Sequence, residues 1–217
     1  MRVLVASDFH GNREAFRSIA SKATDVQANV VTLCGDVTHF GSVQKAEELL
    51  SPFIGLQAPV LFVPGNCDPP SLVRVNMGSL RCIHGVCETY RDVTFIGVGG
   101  GTTSPFRTTF EMTEEEIMNT LVQGLKHSQA KRWLVLVSHS PPKDTKLDAT
   151  YTGMHVGSLS IRQFIQEKKP SIVFCGHVHE ARGTAQINNT LLLNPGPAKH
   201  GHYALVDLNE KIKVELF

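Results

Sequence analysis

The chain has 217 residues, 41% of them hydrophobic and 19% charged, a balance that suits a globular protein and excludes a fibrous or disordered one. A formal net charge of +1 gives no global field toward a long nucleic-acid track or an anionic membrane. No apolar run approaches the roughly 20 residues that cross a bilayer. The five cysteines include no C-x-x-C pair and read as reduced thiols, so the expected location is the cytoplasm.

In chain order, short apolar runs alternate with stretches of helical periodicity. The runs are Val3–Ala6, Val30–Cys34, Val60–Val63, Val93–Val98, Trp133–Val137 and Ile172–Cys175. Their near-continuous apolar character predicts strands covered on both faces. Asn12–Ala28 carries Phe16, Ile19, Ala20 and Ala23 at helical spacing, and Ser42–Leu50 also reads as a helix. Thr113 followed by Glu116 is a capping-box pattern that predicts a helix to about Lys126. Ser158–Lys168 predicts another, stopped by Pro170. Gly99–Thr109 and Pro141–Gly157 read as long loops. Four closely spaced strand candidates follow, Gly183–Ile187, Thr190–Leu193, His202–Leu208 and Ile212–Leu216, as antiparallel hairpins turning at Asn188-Asn189 and Asn209-Glu210. With no linker or repeat visible, residues 1–217 are expected to form a single domain built on βαβ units.

Chemistry collects where the runs end. After the first come Asp8 and His10, after the second Asp36, after the third Asn66, then His139, and last His177 and His179. Ligands of α/β sheets gather outside the carboxyl ends of the strands, so parallel neighbours would bring these seven side chains together. Two carboxylates, an amide and four imidazoles make a mixed nitrogen and oxygen donor set. Such donors suit transition metals and argue against calcium. Seven are too many for one tetrahedral ion and suit two ions that share a bridging carboxylate. The glycines before Asp36, Asn66 and His177 are expected to permit tight turns there.

These motifs, Asp8-Phe9-His10, Gly35-Asp36, Gly65-Asn66-Cys67-Asp68, His139 and Gly176-His177-Val178-His179, stand in the order found in calcineurin-like metallophosphoesterases, which the chain resembles from residue 8 to residue 179. The resemblance implies an α/β fold, a four-layer sandwich of two central mixed sheets flanked by helices. It implies Asp8, His10 and His179 around one ion, Asn66, His139 and His177 around a second, and Asp36 bridging them. The two divalent ions are expected to be manganese, with nickel, zinc, iron or cobalt as alternatives. The implied reaction is hydrolysis of a small phosphoester, with an activated hydroxide attacking phosphorus in line. An Asn-Pro-Gly segment near the site also belongs to the resemblance, and here it is Asn194-Pro195-Gly196.

The chain departs from the pattern at Cys67, where the family usually has the histidine that assists the leaving group. A G-N-C-D branch of small bacterial and archaeal phosphodiesterase-like proteins shares this cysteine. An ordinary thiol, with a pKa of about 8.5, is a poorer proton donor than imidazolium. Good leaving groups are therefore expected to serve best, aryl phosphodiesters above alkyl monoesters. Asp36, Asn66, Cys67 and His155 are the expected catalytic residues. His155 fills the gap left at Cys67, with His39 and His84 as other candidates. Asp68 is a candidate acceptor behind a ligand imidazole. The rival reading is a metal-binding assembly or scaffold module of the same fold, and a homodimer is left open.

Overall fold

The computed structural model describes residues 1–126, 128 and 131–217, so His127 lies outside the described residues. The amino-terminal half supplies β1 (Arg2–Ala6), α1 (Arg13–Asp25), β2 (Val30–Cys34), α2 (Val43–Leu50) and β3 (Val60–Val63). A hairpin-like pair, β4 (Asn76–Met77) and β5 (Leu80–Cys82), follows, and then β6 (Cys87–Tyr90) and β7 (Val93–Val98). Short strands β8 (Gly101–Thr102) and β9 (Glu111–Met112) lead into α3 (Glu114–Leu125) and β10 (Trp133–Ser138). The remainder is α4 (Leu159–Lys168), β11 (Ile172–Phe174), β12 (Gly183–Ile187), β13 (Thr190–Asn194), β14 (Ala204–Leu208) and β15 (Ile212–Leu216).

Two mixed sheets form the centre. The first runs β15-β14-β1-β2-β3-β5-β4, and the second β12-β13-β11-β10-β7-β6. Pairs β1–β2, β2–β3 and β3–β5 are parallel, as are β7–β10, β10–β11 and β11–β13. The edges are antiparallel hairpins, and the carboxyl-terminal pair divides as the sequence could not show. β12 and β13 extend the second sheet, whereas β14 and β15 return beside β1. Strands β4, β5, β6, β8 and β9 were not anticipated, because they are two to four residues long and lack a continuous apolar run.

Alternate residues on each strand enter different cores. Leu4 and Ala6 join Phe16, Ile19, Leu49 and Leu50 beneath α1 and α2. Val3 and Val5 meet Val135, Val137, Ile172 and Phe174 between the sheets. Leu136 and Val173 pack against Ile117, Leu121, Phe164 and Ile165 of α3 and α4. The order is therefore helices, sheet, sheet, helices. Central strands are apolar on both faces because both faces are covered.

The helices start where side chains satisfy their free amides. Asn12 accepts from Glu14 N and Ala15 N, and Ser158 accepts from Ile161 N. Thr113 and Glu116 cap α3 reciprocally. Asn12 also closes the turn that carries Asp8 and His10, so the start of α1 and the end of β1 are one local unit. Phe9, between those two residues, is buried and stacks on Phe16 with ring centroids 4.2 Å apart. Replacing Phe16 by Ala should cost about 3–5 kcal/mol through the cavity it leaves. Urea unfolding followed by far-UV circular dichroism measures that loss.

Candidate metal centre

The ends of β1, β2, β3, β10 and β11 converge and carry the seven predicted side chains with them. Asp8, His10, Asp36 and His177 all hold positive φ, at 58°, 46°, 51° and 71°. A left-handed backbone is costly for residues with a side chain and persists where the surroundings over-determine it. Here backbone bonds do so: Asp8 N donates to Gly35 O at 3.0 Å, His10 N to Asp36 O at 2.8 Å, and Gly11 N to Val37 O at 2.9 Å. The first two turns are thereby laced together. The His177 amide donates to both carboxylate oxygens of Asp8, at 3.2 Å each.

The glycines before Asp36, Asn66 and His177 act chiefly through close approach. A Cβ at Gly35 would stand 2.5 Å from His139 Nδ1. One at Gly65, where φ is not positive, would collide with the Asp36 carboxylate. The tight-turn expectation is corrected to that extent.

Asp36 lies between two groups of donors. Its Oδ2 is 3.5 Å from His10 Nε2, and its Oδ1 is 3.6 Å from His139 Nε2. On the first side, His10 Nε2 and His179 Nε2 are 3.0 Å apart, and His179 Nε2 is 3.5 Å from Asp8 Oδ1. On the second, His139 Nε2 is 2.9 Å from Asn66 Oδ1, and the His177 ring meets His139 edge-on with centroids 5.1 Å apart. Donor atoms of Asp8, His10 and His179 fit around one point, as do those of Asp8, Asp36 and His139.

These donors fit a cation by their chemistry. Nitrogens bound to one ion at about 2.1 Å each stand roughly 3 Å apart when at right angles, which matches His10 and His179. Burial lowers His10 and His177 to about 4, so both imidazoles are neutral with lone pairs to offer. His10 Nδ1 is buried with no hydrogen-bond partner among the described residues. Burial would also lower His139, but Asp36 and Asp8 outweigh it and raise its pKa. The positive charge those carboxylates favour is what a metal ion would supply. Burial would raise Asp8, yet the hydrogen bond from His179 and the charges of His139 and His179 bring it to about 2.

Surrounding residues hold this arrangement. His139 Nδ1 meets Cys34 O at 2.8 Å, a backbone acceptor of the kind that orients ligand imidazoles. Asp68 does not take that part. It accepts from Val37 N, Thr38 N, Thr38 Oγ1 and Gly65 N at 2.7–3.0 Å and so ties the Asp36 turn to the Asn66 turn. Asn194, at the end of β13, is buried and donates through Nδ2 to Val178 O at 2.8 Å, holding the His177–His179 turn from beneath. The Asn-Pro-Gly segment thus supports the site.

The three histidines considered as proton donors separate. His39 stays beside the cluster: its ring meets His10 edge-on at 5.5 Å between centroids, and its donor atom shares a point with those of His10 and Cys67. His84 is withdrawn, its Nδ1 accepting from Gly99 N at 3.0 Å, and burial lowers it to about 4. His155 lines a different groove of about 650 Å³, which includes none of the seven predicted ligands, and its Nδ1 is 2.7 Å from Asp148 Oδ1. The structure does not bring His155 to the cluster; it holds the imidazole on Asp148 instead. Cys67 stays at the site. Its amide donates to Asp36 Oδ1 at 2.9 Å, and burial together with Asp36 and Asp68 pushes its thiol well above the ordinary range.

A second cavity, of about 240 Å³, opens directly from Asn66 and His177, and its rim is the segment between β8 and β9. Glu111 fastens that segment, accepting from Ser104 N, Ser104 Oγ, Thr108 N and Thr108 Oγ1 at 2.7–3.2 Å. The sequence marks this segment as a Gly/Thr-rich loop that follows a strand and could border a site, but not how it is fastened. The polar contacts come from residues whose spacing carries no periodic signal.

Residues 1–211 match the calcineurin-like phosphoesterase superfamily domain. The chain is 36% identical over 208 residues to an uncharacterized protein of Methanocaldococcus jannaschii, covering 94% of this chain and 91% of that one. Among solved structures it is similar to the TT1561 protein of Thermus thermophilus, with a TM-score of 0.80 at 19% identity over 100% of this chain and 97% of the other. It also resembles a novel archaeal phosphodiesterase, with a TM-score of 0.58 at 15% identity over 100% of both chains. The fold and this match place the chain in the calcineurin-like phosphoesterase superfamily.

The Glu111 clamp carries a pH dependence. Burial would raise its carboxyl, but hydrogen bonds from Ser104 and Thr108 outweigh it and hold the group at about 2, against an ordinary 4.5. A depressed carboxyl contributes order that is complete above 4.5 and is lost as pH falls toward 2. Amide exchange across residues 104–109, corrected for intrinsic rates, should accelerate over that interval. Glu111→Ala should show the faster exchange already at neutral pH.

Proposed function

We propose that the chain is a hydrolase that uses two divalent transition-metal ions to cleave phosphodiesters, manganese being the favoured metal. The observation that carries this reading is the placement of Asp36. Its two oxygens each face an imidazole of a different donor group, as a bridging carboxylate requires. Asp8, His10 and His179 would hold one ion, and Asn66, His139 and His177 the other. Such ions, when bound, supply Lewis acidity that activates water and offsets charge on phosphoryl oxygens.

The chain's own residues set the preference among substrates. The Cys67 thiol stays protonated and is a weak proton donor, since the carboxylates near it oppose thiolate formation. His39, beside Cys67 and His10, is the imidazole available to an alkoxide leaving group. Aryl leaving groups need little protonation and depend least on it. The similarity to an archaeal phosphodiesterase agrees with a diester substrate. No described helix is long and apolar enough to cross a membrane.

Metal-stripped protein should hydrolyse bis-p-nitrophenyl phosphate faster than p-nitrophenyl phosphate once manganese is restored, and Asp36→Ala should lose at least a hundredfold in kcat. Two ions bound per chain with no turnover of either ester would favour an assembly or scaffold role. His39→Ala should slow an alkyl phosphodiester about tenfold or more while changing the aryl diester little, a split read directly from paired kcat values.

A further inference from the structure

The cavity beside the metal centre has a composition that selects a ligand. Asn66 and His177 form its inner wall, so whatever occupies it is continuous with a group bound at the centre. Its volume of about 240 Å³ lies below the roughly 300–1,000 Å³ that encloses a drug-sized molecule, which suits one small group and not a polymer. Phe106 stands on its rim, 87% exposed. The segment that presents Phe106 is fastened by Glu111 on both sides, through Ser104 and Thr108. An aromatic face held in place before binding loses little freedom when a partner covers it.

The polar groups are equally specific. Glu180 lines the cavity as an exposed carboxylate; its Oε1 accepts from Tyr151 N at 3.0 Å, and Oε2 stays open to a donor from a ligand. A carboxylate there repels a second anion and favours N–H or O–H donors.

We infer that this cavity binds a nucleoside, as the non-reacting arm of the phosphodiester whose phosphorus lies at the metal centre. The base stacks on Phe106, and base or sugar donors bond to Glu180. The inference rests on the phosphodiesterase reading and adds the substrate class. The arm is a single nucleoside, because the cavity is small and the chain's net charge of +1 gives no global field toward a polynucleotide.

Calorimetric titration of the manganese-loaded protein with adenosine 5′-monophosphate, phenyl phosphate and ethyl phosphate tests this. The nucleotide should bind roughly tenfold tighter than ethyl phosphate, the scale of one base–aromatic stack. Phenyl phosphate should fall between the two. Phe106→Ala, at an exposed position where folding is not at risk, should weaken the nucleotide roughly tenfold and bring it close to ethyl phosphate. Glu180→Ala should remove the advantage of the nucleotide over phenyl phosphate. Val122→Ala, an exposed apolar residue of α3, controls for nonspecific effects and should leave the ratios as they are. Equal affinity for nucleotide and ethyl phosphate, or equal weakening of both by Phe106→Ala, overturns the inference. No affinity for any of the three, with ions bound, overturns the phosphoester reading and this inference with it.

Discussion

The position of the Asp36 carboxylate depends on contacts from several directions, and the rest of the site depends on it. The residue leaves β2 in a left-handed conformation, with its carbonyl taken by His10 N and its Oδ1 by Cys67 N. Gly65 presents no side chain where one would strike the carboxylate. Asp68, behind it, fastens the same turn to that of Asn66. Asp8 and Asp36 place two carboxylates in a nearly dry pocket, an arrangement that is unfavourable without compensating positive charge. Imidazole protons or metal ions supply that charge, so the electrostatics that would make the centre useful also make its unloaded form costly.

Much of this was legible in the sequence, for identifiable reasons. The central strands are covered on both faces, so they stand out as apolar runs of the right length. Each candidate ligand follows such a run within a few residues, so parallel neighbours deliver them to one edge. Helix starts were readable because Asn12, Thr113 and Ser158 announce themselves as caps.

What could not be read depends on which way a side chain turns in an irregular segment. His39, His84 and His155 were equivalent as letters. One lies against His10, one accepts an amide from Gly99, and one pairs with Asp148 in another groove. Asp68 sits two residues from Asn66, yet its carboxylate is used up by backbone amides and does not reach an imidazole. Short strands at the sheet edges escaped because half-exposed pairs carry no periodic apolar signature. Long-range hydrogen bonds decide each of these, and composition does not encode them locally.

The donors are divided between the two sheets. Asp8, His10, Asp36 and Asn66 follow strands of the first, and His139, His177 and His179 follow strands of the second. Neither half of the chain can assemble the cluster alone. The cluster is therefore a seam, closed only when the sheets have docked through the apolar layer between them. During synthesis, the last two imidazoles emerge more than 160 residues after the first carboxylate, counting from Asp8 to His177 and His179. Any ion that binds across the seam stitches the sheets together, so loading comes after docking and slows their separation.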